Sequence, residues 1–414
     1  MTLMMTKMLN KNKTHTMPAG WVYTGDMFQL PPVKGEPVYQ PYVIKDNIKG
    51  KDKEVNGEYI WHEALQHSIL LDKNYRQDDP KFLGICRAIR TGKGDQQHVN
   101  DLNDRMISPT NMPPPDALYI YPTNDQVHAA NVIMTHRHAQ VNNLPVIRIL
   151  AKIHHTQKRK DRRAAAGIPS TTLITNEAHR VFSGFTAAKS TATTKRIGVL
   201  SILDLHFGAP VILINVSNAL QVSYNISNNS TGKFVGFWPP TSNQNFTEKK
   251  NVRLIDDNTN GTVSYPADDH EVTHLLIEIN MHGGKGFQMP GLPQNVYAMP
   301  RTKGSVKCQD GHIHVVEQFR IRLFYASTCD KVQGQSIHRP IVLGGMNNSR
   351  NNYLYVVLTR VHRLLQLYIA KLLTMKDMSY CGPDYPLQKE MERLAKLEKI
   401  TLHRIRTCPQ IGGL

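Results

Sequence analysis

A glutamine in a proline-rich turn is the first residue of this chain whose type and setting suggest chemistry. The stretch GDMFQLPPV follows an apolar run and contains Gly25, Asp26, Gln29, Pro31 and Pro32. A Gly-Asp pair makes a turn and two prolines end any strand ladder, so a simple turn is one interpretation. The other is chemical, because the neutral amide of Gln29 both donates and accepts hydrogen bonds. Such a group can sense a phosphate oxygen or an attacking water.

Two arginines and one glycine add to the candidate chemistry. Arg76 lies in LDKNYRQDDPKFLGICRAIRTG and Arg360 ends YLYVVLTR, while ASTCDKVQGQSI contains Gly334. Arginine holds a phosphate through two hydrogen bonds, and a glycine lets main chain approach a phosphate closely. Simpler interpretations stay open: Arg76 as a surface residue at a helix start, and Arg360 as a salt-bridge partner at the end of an element.

Taken in chain order, the four stretches resemble the later motifs of superfamily 1 DNA helicases: GDMFQLPPV, LDKNYRQDDPKFLGICRAIRTG, ASTCDKVQGQSI and YLYVVLTR. The branch most similar contains the petite-integration-frequency (PIF) helicases, RecD-type enzymes and the helicase regions of Helitron transposons. Two further segments, PTNDQVHAAN and FGAPVILINVSN…NSTGKFVG, also look like family segments. The resemblance therefore covers most of residues 19–372.

The resemblance implies a motor that binds ATP and Mg²⁺ between two RecA-like domains and moves 5′ to 3′ on single-stranded DNA. It implies roles in DNA replication, repair, recombination or transposition. Catalytic roles are implied for Gln29, Arg76 and Arg360. Nucleotide contacts are implied for Gly25, Asp26, Gln29, Arg76, Gly334, Gln335 and Arg360. Contacts with the DNA strand are implied for Pro31, Pro32, Asn124, Lys331 and Gln333.

The sequence departs from the family pattern in two ways. Asp330, Val332, Ser336 and Thr359 replace the usual histidine, serine, threonine and serine, and a carboxylate at position 330 would repel a DNA phosphate. The P-loop pattern G-x-x-x-x-G-K-[ST] does not occur, and no apolar strand ending in Asp-Glu precedes GDMFQLPPV. We therefore expect a C-terminal helicase part that lacks the phosphate-gripping and Mg²⁺-holding segments.

Such a chain could be a fragment, a decayed transposon copy, or one half of a split enzyme whose P-loop lies upstream or on another chain. ATP hydrolysis by this chain alone is then not expected. The alternative function is a nucleic-acid-binding protein without catalytic turnover.

Composition agrees with a polyanionic partner. The 414 residues carry 50 Lys and Arg against 33 Asp and Glu, a net charge of +17, although a generally basic proteome would also explain this. A basic run adds Lys158, Arg159 and Lys160 as candidate DNA contacts, with a solvated segment as the alternative.

The cysteines form no C-x-x-C pair, which favours a reducing compartment. No apolar run of transmembrane length is present, so we expect no membrane association and an intracellular protein, nuclear if eukaryotic.

Periodicity indicates the elements that must position these residues. Apolar residues at three- and four-residue spacing predict a helix from Asp79-Pro80 to about Arg90, with Gly92 as its C-terminal glycine. Residues 19–24 predict a strand that leads into the Gln29 motif. A strand at Leu118–Tyr121 and a helix from about Asp125 form a strand–turn–helix unit. Residues 196–320 have short strand-like runs and Asn/Gly turns, which predict a β-rich region.

The predicted fold class is α/β: the second RecA-like motor domain of a P-loop-NTPase-type helicase, a β-rich SH3-like insertion, and the tail end of a truncated first RecA-like domain. The predicted domains are a disordered tail (1–18), the first-domain remnant (19–60), the second domain (61–209 and 317–375), the insertion (210–316), and a C-terminal helix with its tail (376–414).

Overall fold

The structure is a computed structural model, and its description covers most of the chain outside the N-terminal region. The described residues are 22–32, 37–39, 61, 65–155, 202–214, 224, 226–238, 262–265, 273–281, 286–307, 313–348 and 350–407. The chain divides into two compact units. Unit 1 comprises residues 1–115 and 332–414, and unit 2 comprises residues 116–331.

Unit 1 is mainly helical, with a small parallel strand pair. Its elements are α1 (Pro80–Arg90), α2 (Gln96–Asn103), β14 (Ile341–Leu343), α5 (Tyr353–Leu358), a 3₁₀ turn (Leu364–Gln366), β15 (Leu367–Ile369), α6 (Met375–Ser379) and α7 (Tyr385–Thr407). Strands β14 and β15 pair in parallel, and every residue of β14 is buried. Helix α5 is buried along its whole length, so it packs inside unit 1.

Helix α1 forms where its sequence signals predict. The Asp79 side chain accepts a hydrogen bond from the Phe82 amide, and Pro80 occupies the first turn, where a missing N–H costs nothing. One face of the helix is buried, and its residues are Phe82, Ile85, Cys86 and Ile89. Gly92 follows the helix with φ +70°, a conformation that glycine adopts without strain. The predicted bounds of this helix are confirmed.

The irregular segment before α1 packs along the predicted C-terminal helix. Trp61 donates from its indole nitrogen to Glu390 (2.8 Å), and the Ser68 amide donates to the Thr401 hydroxyl (3.1 Å). The strand that the sequence predicts at residues 19–24 does not form over residues 22–24, which are irregular. A strand needs a hydrogen-bonded neighbour, and no strand of the described residues pairs with this segment.

Unit 2 contains the strand–turn–helix unit and most of the strands. Strand β1 (Leu118–Tyr121) leads into α3 (Asn124–Val141), as predicted. The other strands are β2 (Val146–Leu150), β3 (Lys152–His155), β4 (Ile202–Leu205), β5 (Pro210–Leu213), β6 (Thr231–Trp238), β7 (Thr262–Tyr265), β8 (His274–Ile279), β9 (Val296–Pro300), β10 (Thr302–Lys307), β11 (Ile313–Gln318), β12 (Ile321–Leu323) and β13 (Ala326–Thr328). The short α4 (Cys329–Val332) directly follows β13.

The strands of unit 2 form several sheets around one large apolar core. A five-stranded antiparallel sheet has the order β12-β5-β6-β8-β9, and smaller sheets join β10-β11-β3 and β4-β2-β7. Strand β1 pairs in parallel with β13. The core includes Phe234, Tyr297, Phe319 and Leu275, all with at most 1% of their surface exposed. The prediction of a β-rich middle region is confirmed, whereas an SH3-like architecture and the predicted domain bounds stay predictions.

A buried asparagine fixes α3 to β13. The Asn131 side chain donates to the Ala326 carbonyl (3.2 Å) and accepts from the Ala326 amide (2.8 Å). Both groups are buried, so their hydrogen bonds satisfy main-chain atoms that water does not reach. This pair of bonds therefore fixes the position of the helix along the strand.

Among the described helices, none combines the length and apolar content that crossing a membrane requires.

We predict that Asn131→Ala lowers the free energy of unfolding by about 2 kcal/mol, because it leaves the buried amide and carbonyl of Ala326 without partners. Urea denaturation followed by circular dichroism measures this change. The control is Gln140→Ala at an exposed position of the same helix, expected to stay within about 0.5 kcal/mol of the parent chain. Equal midpoints for the two variants would contradict the role given to Asn131.

Candidate functional site

Five of the predicted nucleotide-contact residues line one cavity that lies within unit 1. The cavity has a volume of ≈ 1080 Å³. Its lining includes Gly25, Asp26, Gln29, Arg76 and Arg360. Two further arginines that the sequence did not single out, Arg87 and Arg90, also line it. The folded chain therefore brings three motifs far apart in sequence to one concave surface that carries four arginines, which we call the arginine cavity.

The loop that carries Gln29 is held at the cavity by Asp26. The Asp26 carboxylate accepts hydrogen bonds from the Phe28 amide (3.1 Å), the Arg90 guanidinium (3.2 Å) and the Tyr355 hydroxyl (2.9 Å). Arg90 also stacks over the Phe28 ring, with 4.0 Å between the guanidinium carbon and the ring centroid. Burial, reinforced by the Asp26 charge, raises the pKa of Tyr355, so its phenol stays protonated and donates. Asp26 is thus a docking group rather than a free acid.

Arg76 is held by contacts at both its main chain and its side chain. The Asn74 side-chain oxygen accepts from the Arg76 amide (2.8 Å), which shapes the turn before α1. The Arg76 guanidinium donates to the Ser336 hydroxyl (3.1 Å) and to the Thr359 carbonyl (3.0 Å). The side chain is only partly buried, and it lines the cavity. Arg76 therefore presents a positioned cation to whatever the cavity holds.

Arg360 is in a different environment, because only 1% of it is exposed. Its Nε donates to the Val356 carbonyl (2.9 Å), one Nη to the Gln335 carbonyl (3.0 Å) and the other to the Thr359 hydroxyl (2.8 Å). All three guanidinium nitrogens have acceptors within the chain. In this arrangement Arg360 joins the end of α5 to the loop at Gln335.

Gln77 is a site residue that sequence reasoning missed. Its buried amide nitrogen donates to the carbonyls of Thr359 (3.3 Å) and Val361 (3.0 Å), and its oxygen accepts from Asn74 (2.7 Å). These bonds satisfy main-chain acceptors just past α5, where helix carbonyls lack partners. The only sequence signal was a polar residue adjoining Arg76, which by itself does not separate a buried amide from a surface one.

A pair of aspartates extends the same connection outward. Asp78 forms a bidentate ion pair with Arg363, with oxygen–nitrogen distances of 2.6–3.1 Å. The second carboxylate oxygen of Asp79 accepts from the Leu364 amide (3.2 Å). The hydrogen bond from Arg363 lowers the pKa of Asp78. The contacts of Asp78 and Asp79 therefore also join the motif around Arg76 to the chain just after Arg360.

The other predicted residues do not line the cavity, although some adjoin it. Gly334 has φ +81°, and no atom approaches the position of a missing Cβ, so it serves conformation rather than close packing. The Pro31 carbonyl accepts from Arg350 (3.2 Å), while Pro32 is exposed. Gln333 is partly exposed and directly follows α4.

Two predicted DNA contacts lie in unit 2, and three lie outside the described residues. Asn124 is the exposed first residue of α3. Lys331 is partly buried in α4, and burial together with the nearby Arg322 charge lowers its pKa to about 8. Lys158, Arg159 and Lys160 are not among the described residues. All of these assignments stay predictions.

Two curated proteins are similar in sequence. The chain is 28% identical over 113 residues to the ATP-dependent DNA helicase PIF1 of Emericella nidulans, which covers 27% of this chain and 13% of that protein. It is 38% identical over 72 residues to the ATP-dependent DNA helicase RRM3 of Saccharomyces cerevisiae, covering 17% and 9%. No family model matches the sequence.

Solved structures of similar fold agree with these matches. The Pif1 helicase of Candida albicans aligns with 90% of this chain and 67% of its own, with a TM-score of 0.53 and 17% identity. Bacteroides Pif1 bound to single-stranded DNA aligns with 91% of this chain and 66% of its own, with a TM-score of 0.50 and 17% identity. The chain thus shares short stretches of sequence with two Pif1-type helicases and shares its fold with solved Pif1 helicases. Its predicted α/β helicase fold class is confirmed, and the aligned parts span at most about two thirds of any of these relatives.

Arg360 and Arg76 differ in burial, so we expect their substitutions to have different effects on the free energy of unfolding. We predict that Arg360→Ala lowers the free energy of unfolding by about 3 kcal/mol, because it removes a buried guanidinium and leaves buried acceptors unpaired. Arg76→Ala, at a partly exposed position, is expected to cost less than about 1 kcal/mol. Urea denaturation of the two variants tests the difference, and equal losses would contradict it.

Proposed function

We propose that this chain forms the arginine-bearing side of the ATP site of a Pif1-type DNA helicase. The observation that carries the proposal is the convergence of Gln29, Arg76 and Arg360 on one cavity. Phosphoryl transfer is catalysed mainly by positioning and by cations near the γ-phosphate, and this cavity offers positioned cations. The relatives named as ATP-dependent DNA helicases support the same assignment.

The donor set of the cavity fits a triphosphate. Arg76 is held by two hydrogen bonds and still faces the cavity, and the exposed Arg87 adds a second cation. ATP, when bound, supplies the phosphoryl group that is transferred to water. Arg76 would hold its phosphate oxygens, and Gln29 would position the attacking water through its amide.

Mg²⁺ does not have a comparable set of ligands in the described part of the chain. No group of three or more His, Cys, Asp or Glu side chains there could hold a metal ion. Asp26, which lines the cavity, already accepts from Arg90 and Tyr355. The 414 residues also contain no P-loop motif. The proposal therefore assigns the phosphate cradle and the metal ligands to a segment outside this sequence.

The proposed nucleic-acid partner is single-stranded DNA. The net charge of +17 favours a polyanion, and one structure with a similar fold is a Pif1 bound to single-stranded DNA. Movement 5′ to 3′ and a nuclear location in a eukaryotic host are parts of this proposal that rest on the family resemblance alone.

A second candidate function is nucleic-acid binding without turnover. The observation that favours it is the buried guanidinium of Arg360. Its three nitrogens all donate to acceptors in the chain itself. An arginine in this arrangement stabilises the fold but does not face a phosphate. The two candidates differ in whether the cavity can be made to hydrolyse ATP.

We predict that the 414-residue chain alone shows no DNA-stimulated ATP hydrolysis. A chimaera that joins a P-loop-bearing segment of an ATP-dependent DNA helicase to this chain is expected to hydrolyse ATP in the presence of single-stranded DNA. Arg76→Ala in the chimaera should then lower the turnover rate about 10³-fold, as removal of an arginine that stabilises the transferring phosphoryl group does. The rate of phosphate release measures each case.

The matched control is Arg137→Ala in the same chimaera, because Arg137 is an exposed arginine of α3 outside the cavity. It should leave the turnover rate unchanged. Full turnover in the Arg76→Ala chimaera would remove Arg76 from the site. A folded chimaera that binds DNA without hydrolysing ATP would favour the second candidate function.

A further inference from the structure

A single carboxylate in unit 1 attaches the Gln29 loop to two helices. One Asp26 oxygen accepts from the Arg90 guanidinium (3.2 Å), and Arg90 is the last residue of α1. The other oxygen accepts from the Tyr355 hydroxyl (2.9 Å), and Tyr355 belongs to α5. We call Asp26, Arg90 and Tyr355 the Asp26 clamp. Each carboxylate oxygen therefore connects the loop to a different helix.

Asp26 also shapes the loop from within. Its Oδ1 accepts from the Phe28 amide (3.1 Å), and its main-chain carbonyl accepts from the Gln29 amide (3.2 Å). An aspartate side chain that accepts from the amide two residues later forms a compact turn. The main chain of Gln29 is thus placed by the same residue that binds the two helices, so a shift of Asp26 would also shift Gln29.

Arg90 contacts the loop at a second point. Its guanidinium carbon lies 4.0 Å from the centroid of the Phe28 ring, and only 5% of Phe28 is exposed. A planar guanidinium can stack on an aromatic face while its edge donates to a carboxylate. Arg90 therefore holds both Asp26 and Phe28, close to Gln29 in the chain.

The two helices of the clamp lead to the two arginines of the candidate site. Helix α1 begins four residues after Arg76, and α5 ends two residues before Arg360. Arg76 itself donates to the Thr359 carbonyl (3.0 Å). Helix α1 has 11 residues, a length of about 16 Å, and a rigid element of this kind can carry a displacement from one end to the other. The clamp therefore places Gln29 on the framework that also carries Arg76 and Arg360.

A simpler interpretation of the clamp is a surface ion pair that closes a turn. Exposed ion pairs contribute little to stability, and the side chains of Asp26 and Arg90 are 24% and 38% exposed. The other contacts of the loop are buried, however, because only 7% of Tyr355 is exposed and Phe28 lies beneath Arg90. Partners that are themselves fixed by packing restrict the loop to one position.

We propose that Arg90 and Tyr355 are positioning residues for Gln29, which they hold through Asp26 at a fixed place relative to Arg76. The catalytic part of this proposal rests on the proposed function, whereas the attachment of the loop does not. Gln29 lines the arginine cavity, so its amide would meet a phosphate oxygen or a water without first ordering the loop. The ordering entropy of that contact is already provided by the fold.

The first test measures the attachment of the loop in the complete 414-residue chain. Tyr355→Phe removes one hydroxyl, and Arg90→Gln removes the ion pair together with the stacked guanidinium. The amides of Phe28 and Gln29 should exchange with deuterium about tenfold faster in each variant, as expected for loss of one charge-assisted hydrogen bond. Mass spectrometry of the peptide that covers residues 25–32 measures the exchange rate.

Two controls match these changes. Tyr385→Phe removes the hydroxyl of a mostly exposed tyrosine of α7, and Lys93→Gln removes a positive charge at an exposed position just past α1. Neither residue lines the arginine cavity, and both controls should leave the exchange of the loop unchanged. Because Tyr355 is buried, Arg90→Gln, at a partly exposed position, keeps the test valid if Tyr355→Phe does not fold.

The second test uses the ATP-hydrolysing chimaera to measure whether the clamp acts through Gln29. Tyr355→Phe and Arg90→Gln should each lower the turnover rate about tenfold and leave the KM for ATP unchanged. Adding either change to Gln29→Ala should lower the rate no further, because a positioning residue acts only through the group that it positions. Lys93→Gln should leave the turnover rate unchanged.

The outcomes separate the clamp from the proposed function. Unchanged exchange in both variants overturns the clamp. Faster exchange combined with a raised KM, or with turnover losses that add to the loss from Gln29→Ala, overturns the positioning role. If the parent chimaera does not hydrolyse ATP, the proposed function fails and the catalytic role of the clamp falls with it, whereas faster exchange would still confirm the attachment of the loop.

Discussion

The candidate site depends on the main-chain carbonyl of Thr359, which lies just past the buried helix α5. A carbonyl at a helix end has no partner in its own helix and must find one elsewhere. Arg76 and Gln77, from a segment almost three hundred residues earlier, both donate to it. This one acceptor therefore holds the turn before α1 against the end of α5. Without it, the Arg76 side chain would keep only its hydrogen bond to the Ser336 hydroxyl.

The same region shows how two arginines of similar chemistry take different physical roles. Arg360 is enclosed, and its hydrogen bonds are all internal, so it connects α5 to the loop at Gln335. Arg76 retains an open face toward the cavity because its bonds use only part of its donor fork. Preorganised donors of this kind need little rearrangement when charge develops on a bound phosphate. The buried Arg360 holds the loop at Gln335 in place, and the neighbouring Ser336 of that loop contacts Arg76.

The departures from the family pattern also have local explanations. Ser336, where relatives have threonine, supplies the hydroxyl that accepts from Arg76. Thr359, in place of a serine, accepts from Arg360 and donates to the Tyr355 carbonyl. Each replacement keeps the hydroxyl that the hydrogen bond requires. Asp330 changes the charge instead, and it adjoins Lys331 in α4. The electrostatics of that loop therefore differ from the family pattern more than its hydrogen bonding does.

Local sequence determined the elements whose signals lie within a few residues. Asp79, Pro80 and Gly92 set the ends of α1, and apolar spacing set its buried face, because capping and periodicity act over one or two turns. The motif residues Gln29, Arg76 and Arg360 could also be chosen from sequence, since their types carry the chemistry. The strand expected at residues 19–24 failed because a strand depends on a partner that local sequence does not supply.

Only the tertiary structure decided how those residues are used. Burial of Arg360, docking of Asp26 between Arg90 and Tyr355, and recruitment of Gln77 all depend on contacts between distant segments. The attachment of α3 to β13 through Asn131 likewise joins segments that no spacing in the sequence brings together. Residue type determines which bonds a side chain can make, but desolvation and partner geometry determine which it does make, and both are properties of the packed chain.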